Sequence, residues 1–412
     1  MAAVKRMAKK IKLKKVKKHK GLSVAHMHWG FPPIIGGVET HLSIMLPEMA
    51  RRGHKVSLLT ASVEGQKTRS VYKGVNVCRT PLMDLNWLFK RGLRGLDKDI
   101  SKIFTDFLDK SRPDVVHCHN LHYFSPVHTH AIEDLSKKKG IPLVLTAHNV
   151  WDDILYLDLV LKVKWTHIIA VSHFIKREMI GVGCDDRKIS VIHHGIDTKA
   201  FRPGIKTDSI RRRYPELKDK RVIFHPARMG LGKGCDVGLK ALNLVRKQFP
   251  DAMLVLAGTK NIIDWGATQQ KDIAFMVDLV KIFGLRENVL IDAYTLPEIA
   301  QLYGIAEVCI YPSTVGEPFG LTMLEALSSA KPMIVTDSGG MPEIIRDGIN
   351  GYVIPVKDFE SLAARIIRLF TDEDLRRRFG YTGRQMVEAH YSKEAVTKNT
   401  VDIYRKTLGH RL

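Results

Sequence analysis

Short apolar runs rich in Val and Ile recur from residue 21 onward, and each is followed by a segment with helical spacing. "GLSVAHMHW", "KVSLLTA", "VNVCRTP", "PDVVHCHN", "IPLVLTAHN", "THIIAVS" and "ISVIHHG" read as strands. A strand with one face in water alternates apolar and polar residues, whereas these runs are nearly continuous. They suit parallel strands covered by helices on both faces. Residues 21–197 therefore read as a doubly wound α/β domain.

The stretch 198–220 is charged, interrupted by Pro203, Gly204 and Pro215, and reads as a linker. The same alternation then resumes with "RVIFHPAR", "AMLVLAG", "NVLIDAYT", "VCIYPS", "PMIVTDSGG" and "GYVIPV", which predicts a second parallel-sheet α/β domain over residues 221–390. Residues 391–412 are helical in pattern and are expected to pack back on the first domain. Open parallel sheets bind ligands beyond the carboxyl ends of their strands, so two such sheets predict a cleft between facing edges.

Two segments of the second half carry chemistry. "HPARMGLGKGCD" leaves a strand and enters a helix, presenting Arg228 and Lys233 around Gly230, Gly232 and Gly234. Glycines let backbone N–H groups approach an anion, and two cations can neutralise a diphosphate. Lys233 is not followed by Ser or Thr, so this is not a P-loop. In "EPFGLTMLEA", Glu317 precedes a loop with Pro318 and Gly320, and a helix opening near Leu321 carries Glu325. A hydrolytic carboxylate pair does not fit this layout. The free N–H groups of a helix start suit a phosphate, with the glutamates left to bind hydroxyls.

Together, "R-x4-KG", "EPFGLTMLEA" and "TDSGGMPEIIRDGINGYVIP" resemble the nucleotide-sugar half of the retaining glycosyltransferases of family four, also described as glycosyl transferases group 1. In the first half "GGVETHLSIMLPEMARRGHKVSLLT", "PDVVHCHN", "TAHN", "AVSHFIKREM" and "VIHHGID" are similar to that family's segments in the same order, so the resemblance spans residues 21–408. It implies the GT-B architecture, two Rossmann-like domains facing a central cleft. It also implies transfer of a hexose from a UDP- or GDP-linked donor to an acceptor hydroxyl with retention, giving an alpha linkage without a metal or other cofactor. The acceptor is open between a glycan, a lipid-linked and a small molecule. The alternatives on the same fold are a sugar phosphorylase or synthase and a non-catalytic basic surface-binding protein.

The resemblance assigns roles by position. Glu325 would accept hydrogen bonds from the ribose, and Glu317 would face the transferred sugar. The backbone of Phe319, Gly320 and Leu321 would line the sugar and diphosphate. Arg228 and Lys233 would hold the leaving diphosphate, and the turn at Gly36 and Gly37 would approach the donor phosphates or the acceptor. His148 would contact the sugar near its anomeric centre, while His119 and Asn120 would lie on the acceptor side. His194 departs from the pattern, standing where the family usually has Asn.

Ten of the 65 Lys and Arg fall within residues 1–20, which contain no acid, so nearly half of the +22 net charge sits in a tail. That tail reads either as a disordered solvated arm or as a segment drawn to an anionic membrane surface. Nucleic acid is not an expected partner, because the other basic stretches lack interleaved aromatics. The five scattered cysteines suit a reducing cytosol, and the expected location is cytoplasmic or peripheral at the inner membrane surface. "HCHNLHY" offers His117, His119 and His122 as a metal set and places the first two on one strand face, but no Asp, Glu or Cys accompanies them at structural-zinc spacing; "DKD" (97–99) and "DED" (372–374) read as solvated surface.

Overall fold

The computed structural model describes residues 21–149, 159–227, 229–258 and 266–409. The basic tail and Arg228 lie outside the described residues.

The first sheet contains β1 (Ser23–Met27), β2 (Lys55–Ala61), β3 (Arg69–Tyr72), β4 (Val75–Thr80), β5 (Val115–His119), β6 (Leu143–Ala147), β7 (His167–Ala170) and β8 (Ile189–Val191). Their order is β3-β4-β2-β1-β5-β6-β7-β8. All pairings are parallel except β3 with β4. Every residue of β5, β6 and β7 is buried, as the unbroken apolar runs require. The sequence reading missed β3: "RSVY" is largely exposed and forms a two-stranded ribbon at the edge, so no buried run announces it.

The second sheet contains β9 (Arg221–His225), β10 (Ala252–Gly258), β11 (Val289–Ala293), β12 (Val308–Tyr311), β13 (Met333–Thr336) and β14 (Gly351–Ile354), all parallel. The order β11-β10-β9-β12-β13-β14 turns outward in both directions from the β9/β12 pair. Beyond the carboxyl ends of such a pair the two connections diverge and leave a crevice. In the first sheet β1 and β5 are the equivalent pair.

The last helix, Lys393–Gly409, returns to the first domain. Val401 and Tyr404 join Leu42, Met45 and Leu46 of the helix Gly37–Arg51 in one apolar cluster. The Tyr404 hydroxyl bonds His117 Nδ1 at 2.6 Å, tying that helix to β5. No helix among the described residues is long and apolar enough to cross a membrane.

Tyr404 is fully buried. Tyr404→Ala is expected to lower unfolding stability by about 3–5 kcal/mol through the cavity and the orphaned imidazole, measured by urea denaturation.

Candidate active site

Two loops meet beyond β9 and β12. Gly234 has φ +73°, and a Cβ there would stand 1.8 Å from the Pro312 carbonyl oxygen, so only glycine lets the loop after β9 lie on the loop after β12. Ser313 Oγ and the Thr314 N–H both donate to the Gly232 carbonyl, at 3.0 and 3.1 Å. His225 Nε2 bonds the Lys233 carbonyl at 2.9 Å. With the backbone held, Lys233 Nζ reaches Glu317 Oε2 at 2.7 Å, and Tyr311 donates its hydroxyl to the same oxygen. The structure thus brings together two expected site residues 84 positions apart.

Gly320, at φ +81°, turns the chain into the helix Leu321–Ser328. Gly339 and Gly340 clasp the loop before it. The Gly340 N–H donates to the Glu317 carbonyl at 2.8 Å, and a Cβ on Gly339 would lie 2.2 Å from that oxygen.

Glu325 leads elsewhere. Its side chain is buried and bonds the Tyr303 hydroxyl through Oε2 at 2.9 Å. Burial pushes its carboxyl up from 4.5 to about 7, opposed by the tyrosine hydrogen bond. The geometry accommodates a neutral acid, because the Tyr303 hydroxyl can accept from Glu325 and donate to the Thr322 carbonyl at 3.2 Å.

Phe319 crosses to the first domain. Its buried ring lies 5.6 Å from the His193 ring and 4.9 Å from the His194 ring. The sequence reading assigned only the backbone here; the side chain joins the two domains. Glu343, also missed, does so with charge: its carboxylate accepts from the N–H groups of His173 and Phe174, at 2.8 and 2.7 Å, and pairs with His193 at 3.1 Å. Together with the Ser172 hydroxyl, which accepts from the Ile175 N–H, it completes the start of the helix His173–Gly181, where a negative charge is favoured.

On the first-domain side, Gly36 precedes the helix Gly37–Arg51 without offering a side-chain cap. Its glycine has a local cause: a Cβ on Gly36 would stand 2.2 Å from Glu39 Oε2. Glu39 in turn pairs with His28 Nε2 at 3.1 Å, and the other nitrogen of His28 faces the His119 carbonyl at 3.1 Å. A Cβ on Gly37, by contrast, would meet no described atom within 4 Å, which leaves room for a ligand at this helix start.

His119 and His148 do not stand open to substrate. Both are buried. His119 bonds His26 Nδ1 and His148 Nε2, each at 3.1 Å, and the second nitrogen of His148 bonds His194 Nε2 at 2.9 Å. Every ring nitrogen of His119 and His148 is therefore occupied, and it is His194 that adjoins the second domain. Desolvation, followed by repulsion from neighbouring imidazoles, holds His119, His148 and His194 well below the usual imidazole range. Asn120, expected on the acceptor side, is buried at φ +54° and accepts the His148 N–H at 2.8 Å, so it fixes the end of β6.

His26, His117 and His119 carry ring nitrogens within 4.8 Å of one another. The metal set weighed from sequence contained His122 in place of His26, because strand adjacency was not visible. Asp372 of the "DED" stretch caps a helix by accepting the Leu375 N–H at 2.9 Å.

Two family models match consecutive stretches of this chain: Glycosyltransferase Family 4 over residues 35–200 and Glycosyl transferases group 1 over residues 206–386. The chain belongs to the family-four-type glycosyltransferases. An uncharacterized glycosyltransferase of Methanocaldococcus jannaschii is 26% identical over 415 residues, covering 93% of this chain and 98% of its own. A crystallised glycosyltransferase from Rickettsia africae has a TM-score of 0.77 at 20% identity, covering 95% of this chain and 99% of its own. Anabaena HepE, solved in complex with UDP and glucose, has a TM-score of 0.75 at 16% identity over 93% of this chain and 100% of its own. The two α/β domains form a GT-B glycosyltransferase fold.

The Glu325 carboxyl, raised in the folded chain, favours the fold while protonated, and that contribution is lost as pH rises from 4.5 to about 7. Glu325→Gln is expected to remove roughly 3 kcal/mol of pH dependence across that window. Urea midpoints of both chains at a series of pH values measure it; parallel pH profiles would refute it.

Proposed function

We propose that this glycosyltransferase moves a hexose from a nucleoside-diphosphate sugar to an acceptor hydroxyl with retention, forming an alpha linkage without a metal. The observation that carries this reading is the Lys233–Glu317 pair, held by the loops that leave β9 and β12 at the switch point of the second sheet. A cation beside a hydroxyl-binding carboxylate suits the junction of a sugar and its diphosphate.

On this reading Lys233 turns from Glu317 to the diphosphate as negative charge develops there, and Glu317 accepts from sugar hydroxyls. The main contribution of the protein is electrostatic, a preformed cation opposed to the leaving group. Arg228 would add a second cation; that assignment rests on sequence alone. The helix start at Gly37 would offer N–H groups to phosphate or acceptor. The bond from the anomeric carbon to the phosphate oxygen breaks, the sugar passes through an oxocarbenium-like state, and the acceptor oxygen attacks on the same face. A leaving-phosphate oxygen takes the acceptor proton.

Glu325 would hold the ribose. Its carboxyl would exchange the Tyr303 hydroxyl for ribose hydroxyls as partners, and additional donors of that kind favour the ionised form. The donor base is proposed as uracil or guanine, and the basic tail as a means of approach to an anionic membrane surface.

Thermal unfolding with UDP, GDP and ADP is expected to single out one nucleotide; at 100 times its Kd a ligand adds about 2.7 kcal/mol of stability. That gain should fade in Glu325→Ala. Lys233→Ala is expected to lower kcat by about 100-fold or more while the nucleotide still binds. Absence of stabilisation by any of the three would overturn the donor assignment.

A further inference from the structure

The four imidazoles of His26, His119, His148 and His194 are joined in one sense throughout. Nδ1 of His26 meets Nε2 of His119 at 3.1 Å, Nδ1 of His119 meets Nε2 of His148 at 3.1 Å, and Nδ1 of His148 meets Nε2 of His194 at 2.9 Å. A neutral imidazole carries one N–H and one lone pair, so each ring donates at one nitrogen and accepts at the other. Only two arrangements keep all three bonds. Either every ring carries its hydrogen on Nδ1, or every ring carries it on Nε2.

The two ends choose between them. His26 Nε2 is buried and unpartnered. The Nε2 arrangement would place an N–H there with nothing to receive it, and a buried orphan donor is less tolerable than an unused lone pair. The Nδ1 arrangement leaves a lone pair at His26 and sends the last N–H to His194. Nδ1 of His194 has no partner among the described residues either, but unlike His26 Nε2 it is not fully enclosed, so an N–H there can meet solvent or a ligand. Its ring lies between His41, stacked at 4.3 Å, and Phe319 of the opposite domain. Burial and mutual repulsion keep the rings neutral, with His26 lowered to about 3.

We infer that the chain His26–His119–His148–His194 runs in one direction and fixes His194 as a neutral hydrogen-bond donor, its Nδ1–H offered to an oxygen of the nucleotide-linked substrate at the domain junction. His194 is the residue that touches the ligand. His26, His119 and His148 are positioning residues that act through it. The identity of that ligand rests on the proposed function, whereas the direction of the chain does not.

The test uses the full chain with 15N-labelled histidine, whose ring nitrogens report by long-range proton–nitrogen correlation whether they carry hydrogen. The His194 signals are assigned from their loss in His194→Asn. The expected result is hydrogen on His194 Nδ1, opposite to the preference of an isolated neutral histidine. His26→Asn, which can donate or accept toward His119, is expected to release the constraint and mix the two forms at His194 while the thermal transition stays cooperative.

Hydrogen on His194 Nε2 in the unaltered chain would overturn the inference. So would stoichiometric bound zinc with the His26 and His119 nitrogens shifted by it, because the rings would then be ligands. In nucleotide titrations with UDP or GDP, His194→Leu is expected to weaken binding about tenfold, the worth of one hydrogen bond to a charged group. His194→Asn, which keeps an N–H near the same place, should recover most of that loss. If the unaltered chain binds neither nucleotide, the donor reading fails while the spectrum still decides the direction of the chain.

Discussion

The Glu343 carboxylate holds the two sheets to each other across the cleft. It is a second-domain side chain that completes the start of a first-domain helix, accepting from His173 and Phe174 and pairing with His193. Without it two N–H groups at that helix start would lose their carboxylate partner, so the domains have an electrostatic reason to meet in this register. Phe319 adds an apolar one, because its ring packs against the His193 and His194 rings of the first domain. The loop bearing Phe319 also bears Glu317, so the contact that aligns the domains positions the carboxylate that pairs with Lys233.

Burial governs the chemistry of the site more than net charge does. The chain carries a +22 excess, yet the interior beneath the cleft is lined with imidazoles that desolvation keeps neutral. Glu325 is likewise poised near neutrality by burial and by Tyr303.

Much of the fold was legible because parallel strands buried on both faces leave an unmistakable apolar run. β5, β6 and β7 were read for that reason, and β3 was missed because its residues are exposed at an edge. Lys233 and Glu317 were singled out through their loops, where Gly234 answers to a backbone contact that no side chain would permit. Gly36 was read as a ligand contact, and the structure supplies a nearer cause in Glu39. His148 and His119 were expected at the surface of the site and lie one and two rings behind His194.

By itself the sequence determined the two parallel-sheet domains, the loops that carry the charged residues, and the positions of Gly320 and Gly234, since apolar periodicity and steric need are local properties. Only the tertiary structure decided which histidines share hydrogen bonds, why Glu343 joins the domains, and which imidazole faces the cleft. His26 and His117 sit opposite each other because β1 pairs with β5, a crossover between strands 91 residues apart along the chain from Ser23 to Asp114. Pairing across such a distance follows from packing and register, which no local pattern records.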